Sequence, residues 1–149
     1  MFHIRNARKT DIARIVEIEK ASYPVPWDET AFLCELSRQA AGANIFLAAE
    51  DAGTGEVAGY IVGNLIIDYI HILNLAVAGK FRRQGLALSF MQKAEQEAFK
   101  RGLGALTLEV RENNEAAVLL YRKLGYEVKG RRPKYYEYTD DALLMWKTL

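Results

Sequence analysis

Residues 69–78, YIHILNLAVA, are the most apolar run of the chain, and together with the turn after them they limit the folds open to it. A strand this apolar belongs in the middle of a sheet, covered on both faces. It leads into GKFRRQ, a short basic turn, and then into GLALSF, where the pattern turns helical. From Gly85 to Gly102 the residues Ala87, Met91, Ala94 and Ala98 recur on one stripe, and Gly102 supplies the stop. A central strand feeding a glycine-opened helix is a unit of layered α/β architecture.

The remaining segments extend that unit in both directions. Residues 2–7 read as a short strand. Thr10 can cap a helix over 11–22, carrying Ile12, Ile15, Val16 and Glu19 at helical spacing. The prolines of YPVPWDETAF interrupt it, and Asp28 restarts a helix to Arg38. Residues 45–50 and 57–66 read as antiparallel strands around the turn DAGTGE. ALTLEV is a strand over 105–110. Asn114 then caps a helix with Ala117, Leu120, Tyr121 and Leu124 on one face, closed by Gly125. Strands near 126–131 and 142–147 complete the chain, joined by RRPKYYEYTDD. The order β-α-α-β-β-β-α-β-α-β-β predicts a mixed, mostly antiparallel sheet of about seven strands with about four helices, α/β or α+β in class. All 149 residues fit a single domain.

Charge and cysteine content narrow the function. A net charge of +1 gives no pull toward nucleic acid or an anionic membrane. No apolar run approaches the roughly 18 residues of a membrane span. Cys34 is the single cysteine, which excludes an internal disulfide, points to the cytoplasm, and predicts a buried thiol. With His3 and His71 as the only histidines, no zinc-like spacing exists, and no metal is expected.

The junction RRQGLA has the makings of an anion site. The first turn of a helix has N–H groups without intrahelical partners, and its dipole favours negative charge. Gly85 and Ala87 leave room for a phosphate near the backbone, while Arg82 and Arg83 add charge. Neither GxGxxG nor GxxxxGK[ST] is present, so neither a dinucleotide nor a nucleoside triphosphate is indicated. On these residues alone, a solvated loop is an equal reading.

RRQGLA after LNLAV resembles the R/Q-x-x-G-x-G/A pyrophosphate loop of the GNAT acetyltransferases, and the order of elements matches that superfamily along nearly the whole chain. Within it, YPVPWDETAF, LEVRENNEAAVLLYRKLGY and RRPKYYEYTDDALLM together resemble the bacterial ribosomal-protein-alanine and archaeal N-terminal acetyltransferases. The resemblance implies acetyl-coenzyme A as co-substrate, held by Leu75, Ala76 and Val77, by Arg83, Gln84, Gly85, Leu86, Ala87 and Leu88, and by Asn114. It implies an acceptor groove built with Tyr23, Trp27, Tyr135 and Tyr136, and a protein N-terminus as acceptor, with the N-terminal alanine of a ribosomal protein as the expected one. Ala87 stands where glycine is commoner, and Gly79 where an acidic residue or proline is often found.

Two residues carry the expected chemistry. Glu109 is a carboxylate inside an apolar strand, on the opposite face from Leu106, Leu108 and Val110. Such a group needs a partner or a task. An ion pair with Arg111 is one reading, and a general base for the attacking amine is the other. Tyr121 lies on the apolar stripe of its helix, and periodicity alone makes it a packed core residue. The resemblance makes it the acid that protonates departing coenzyme A, and implies an oxyanion site at the Val77 N–H. A lysine or small-amine acetyltransferase, a coenzyme A-binding module without catalysis, and an RNA-binding protein using RRPKYY are the alternatives. The low net charge speaks against the last.

Overall fold

The computed structural model describes residues 1–136 and 140–149. Seven strands and four α-helices keep the predicted order: β1 Phe2–Asn6, α1 Ile12–Ser22, α2 Glu29–Ala40, β2 Asn44–Asp51, β3 Val57–Ile66, β4 Tyr69–Val77, α3 Leu86–Lys100, β5 Ala105–Arg111, α4 Glu115–Lys123, β6 Glu127–Tyr136 and β7 Asp140–Thr148. The strands form one sheet in the order β1-β2-β3-β4-β5-β7-β6, so the most apolar strand is indeed the central one. Every pairing is antiparallel except β4 with β5. That single parallel pair is the one whose connection carries α3, as a parallel crossover requires.

Two cores lie on the two faces of the sheet. On one face, α3 buries Leu86, Phe90, Met91, Ala94 and Ala98 against Ile61, Ile70, Leu106, Leu108 and Val110, with α4 alongside. On the other, α1 and α2 bury Ile12, Ile15, Ile18 and Phe32 against Phe46, Ala48, Tyr60 and Val62. The alternation along LTLEV therefore sends its aliphatic residues to the α3 side, as the sequence predicts.

Several local expectations change. Thr10 does not cap α1: Lys9–Asp11 form a 3-10 turn, and Asp11 takes the position before Ile12. Its carboxylate accepts from the Arg8 backbone N–H at 2.8 Å and from the Arg5 guanidinium at 2.7 and 3.0 Å. Asp28 does cap α2, accepting from Ala31 N–H at 2.9 Å. Cys34 is exposed rather than buried, because α2 turns Phe32 and Glu35 inward. RRPKYY is strand rather than connection: β6 pairs with β7 from Glu127↔Trp146 to Tyr136↔Asp140 across two irregularities. Of the expected connecting segment, residues 137–139 lie outside the described residues. Among the described residues, no helix is long and apolar enough to cross a membrane.

Candidate active site

One extra residue in β4 creates the site. Val62 pairs with Asn74 but the next residue, Gly63, pairs with Ile72, leaving Leu73 as a bulge. Because side chains alternate with period two, the extra residue resets the faces of the strand. Ile70 and Ile72 before it, and Leu75 and Val77 after it, all pack on the α3 side. Asn74 and Ala76 point to the α1 side. The pairing of β4 with β5 ends at this place, with Ile72↔Leu108. Beyond it the two strands diverge, and Leu75–Val77 face Glu109–Arg111 across an opening.

A cavity of about 740 Å³ fills the opening, within the usual range for small-molecule sites. Backbone N–H of Ala78 points back to β3, bonded to Ala58 O at 2.8 Å. The pleat then directs the N–H and C=O groups of Leu75 and Val77 into the opening. Two side chains reach those carbonyls. Tyr23 donates its hydroxyl to Leu75 O at 2.6 Å, and Arg82 Nε donates to Val77 O at 3.1 Å.

The RRQGLA turn forms one wall of the cavity. Arg83 has φ +62° and Gly85 has φ +76°, two left-handed residues within three positions. Such a turn gathers successive N–H groups into a concave anion-binding nest. It opens directly into α3, for which Gly85 is the N-cap. Arg82, Arg83, Gly85, Leu86, Ala87 and Leu88 line the cavity, whereas Gln84 is not among the lining residues. Asn114 lines the far wall and also caps α4, accepting from Ala117 N–H at 3.2 Å.

Glu109 lies at the base of the opening with a largely buried side chain. Its ion-pair partner is Arg132 of β6, Nη2 to Oε1 at 3.4 Å, while Arg111 reaches Asp140 at 2.7 Å and stacks over Tyr136 at 4.4 Å. The ion-pair alternative offered by the sequence placed Arg111 on the correct strand face, but the cation at Glu109 is Arg132. His71, which sequence reasoning did not select, shares this face. Its Nδ1 lies 2.6 Å from Thr107 Oγ1. Burial holds its pKa below the ordinary 6.5, Glu109 acting to raise it and Arg132 to lower it. The alternation of YIHIL, with His71 between Ile70 and Ile72, was the available signal.

Three phenols close the cavity: Tyr121 from α4, Tyr23 from the α1–α2 loop and Tyr136 from the end of β6. Burial pushes each to about 12, with Glu109 adding to the shift at Tyr136. All three are therefore hydroxyl donors at any physiological pH. Tyr121 also stacks edge-on against Tyr126 at 5.9 Å. Of the other expected acceptor-side aromatics, Trp27 packs on Phe32 at 5.4 Å in the α1–α2 core. Tyr135 stands half-exposed beside Tyr136. Neither lines the cavity.

A nest for an anion, a carboxylate, inward backbone donors and a phenol thus surround one cleft at a strand divergence. Residues 12–126 match the Acetyltransferase (GNAT) family. The chain belongs to the GNAT acetyltransferase family. The [ribosomal protein bS18]-alanine N-acetyltransferase of Escherichia coli K12 is 30% identical over 145 residues, covering 95% of this chain and 94% of that protein. An N-alpha-acetyltransferase of Sulfurisphaera tokodaii is 34% identical over 159 residues, covering 97% and 91%. The crystal structure of the Escherichia coli ribosomal-protein-S18-alanine enzyme superposes with a TM-score of 0.89 at 28% identity, over 99% of this chain and 94% of that one. The mostly antiparallel seven-stranded sheet with four helices is thus a GNAT fold along its full length.

Proposed function

We propose that this GNAT protein transfers the acetyl group of acetyl-coenzyme A to the α-amine of a protein N-terminus, in one ternary complex, with an N-terminal alanine of a ribosomal protein as its acceptor. The observation that carries the reading is the opening between Leu75–Val77 and Glu109, with the Arg83–Gly85 nest at one end and Tyr23 and Tyr136 at the other. The nest suits the pyrophosphate, and the inward N–H groups of β4 suit the acyl chain. Similarity to enzymes named for N-terminal acceptors supports the choice of amine.

The thioester sets the chemistry required. An α-amino group has a pKa of about 7.7–8.0, so a modest base suffices to keep it neutral. Glu109, directly or through a water, takes the proton. The freed nitrogen attacks the thioester carbon, the developing oxyanion accepts from the Val77 N–H, and the nitrogen loses its second proton to solvent as the intermediate collapses to the amide. The C–S bond breaks as the Tyr121 hydroxyl donates to sulfur. Tyr23 and Tyr136 present apolar area with polar tips to the incoming peptide.

Incubation with acetyl-coenzyme A and a library of N-terminal peptides tests the proposal. Acetylation should appear on the α-amine of peptides with a small first residue. Equal or faster acetylation of internal lysines or of polyamines would overturn it.

A further inference from the structure

Glu19, near the C-terminal end of α1, is 1% exposed, and the acetyl-transfer chemistry does not use it. Burying a carboxylate costs several kcal/mol unless hydrogen bonds replace its water. Here three elements supply them. Asn74 Nδ2 donates to both carboxylate oxygens, at 3.0 and 3.1 Å. Trp27 donates its backbone N–H to Oε2 at 2.9 Å, and the Tyr60 hydroxyl of β3 donates to Oε1. Burial, and then Glu19 itself, hold the Tyr60 phenol far above its usual range, so it stays a donor.

The location of these donors is informative. Asn74 is the first residue after the Leu73 bulge, where β4 begins to leave β5. Trp27 lies in the loop whose first three residues, Tyr23, Pro24 and Val25, line the cavity. The two sides of the tie differ in their other supports. Asn74 is held by β3, paired with Val62 and flanked by Leu75↔Ile61 and Ile72↔Gly63. Between the end of α1 and the start of α2, the loop has the Tyr23–Leu75 and Trp27–Glu19 hydrogen bonds as its lateral ties to the sheet and helix. Loss of Glu19 therefore releases the Trp27 backbone from the strand, while the Tyr23–Leu75 hydrogen bond and the Trp27–Phe32 packing remain, and leaves the strand in place.

We propose that Glu19 is a positioning residue: its buried carboxylate fastens the acceptor-side loop to the bulged strand, so that acceptor binding depends on it while coenzyme binding does not. This rests on the assignment of the Tyr23–Val25 loop to the acceptor peptide. The Arg83–Gly85 nest lies beyond Val77 and touches none of the network.

Glu19→Gln keeps the shape but turns one acceptor oxygen into a donor facing the Asn74 or Trp27 N–H groups. The Michaelis constant for the peptide should rise about tenfold or more, with the coenzyme dissociation constant unchanged within about twofold. Glu19→Gln with Asn74→Asp exchanges the amide and the carboxylate across the same contact and should recover most of the loss. Should Glu19→Gln fail to fold, Asn74→Ala removes only the strand end of the tie and should give a smaller rise of the same kind. A second readout needs no substrate. With Trp146→Phe, Trp27 becomes the sole tryptophan, and its fluorescence should become more open to acrylamide quenching when Glu19 is replaced. Unchanged quenching would overturn the loop tie. Increased quenching with an unchanged peptide constant would keep the loop tie but remove the loop from the acceptor site, overturning the dependence of acceptor binding on Glu19. A lowered melting temperature with both constants unchanged would leave Glu19 purely structural.

Discussion

The Glu109 carboxylate is bridged by Arg132 at 3.4 Å, from a strand that does not neighbour its own in the sheet. The guanidinium is mostly exposed and lies 5.3 Å from the Tyr135 ring, while the carboxylate faces the cavity. An ion pair whose cation stands mostly in solvent contributes little to stability, so its consequence is chemical. It presents a carboxylate, with its cation on the solvent side, to an amine arriving from the cleft.

Glu109→Gln keeps the size of the side chain and removes its basicity. Turnover should fall by about 10²–10⁴-fold, with coenzyme affinity and melting temperature nearly unchanged. Steady-state rates beside a thermal scan decide it. Full turnover with a loss of several degrees would make the Arg132 ion pair the whole of its role.

Gly85→Glu should abolish the rise in melting temperature that acetyl-coenzyme A gives the wild type by binding the folded state alone. The φ of +76° favours glycine, and among the described residues no atom outside its own stretch of chain lies within 4 Å of where a Cβ would sit. The new side chain would therefore strain the turn and place a negative charge where the pyrophosphate is expected. Gly85→Ala adds the strain without the charge and should keep part of the shift. An unchanged shift in Gly85→Glu removes the turn from the site.

Features fixed by neighbours in the chain were legible before the fold. RRQGLA, the Asn114 cap and the faces of LTLEV each depend on a few adjacent residues, and each is where the sequence indicates. Features fixed by pairing were not. The bulge at Leu73 is defined only against β3, so no pattern in ILNLAV announces it. The cation beside Glu109 comes from β6, far along the chain, so the nearby Arg111 was the only partner the sequence could offer for its ion-pair reading. Trp27 shows a related limit: an aromatic in a proline-rich loop suits a groove or a core equally, and Phe32 decides for the core.

Asp11→Ala should destabilise the fold by about 3 kcal/mol, toward the low end for breaking a buried pair because Glu50 stays 3.6 Å from Arg5. The pair is nearly sealed, with side chains 9% and 5% exposed. Burial opposes ionisation of Asp11, but Arg5 and the Arg8 N–H outweigh it and hold the carboxyl below its ordinary 3.8. A folded-state pKa below the unfolded one contributes stability above the unfolded value that is lost as pH falls through the folded value. The gap between wild type and variant in urea denaturation should be constant near neutrality and shrink below about pH 4. A gap that persists undiminished at pH 2 would mean packing, not charge, sets it.

Tyr121→Phe separates packing from proton donation, since the ring stays against Tyr126 and only the hydroxyl is lost. At about 12, the buried phenol is a weaker acid than an exposed tyrosine. A coenzyme thiol resembles a cysteine thiol near 8.5, so complete transfer to its thiolate is uphill by about 5 kcal/mol. The hydroxyl therefore acts chiefly by donating a hydrogen bond to sulfur as the C–S bond breaks, and its removal should cost roughly 10²-fold in turnover, the low end of general-acid effects. Because the phenol stays protonated well above pH 9, the ratio of wild-type to variant rates should be flat from about pH 7 to 10. An acetyl donor whose leaving thiol is more acidic should suffer less from the substitution. Rates measured with two donors over that pH range test both statements. A ratio that falls toward one as pH approaches 10 would show the phenol ionising within the working range, and equal rates at every pH would return Tyr121 to the core.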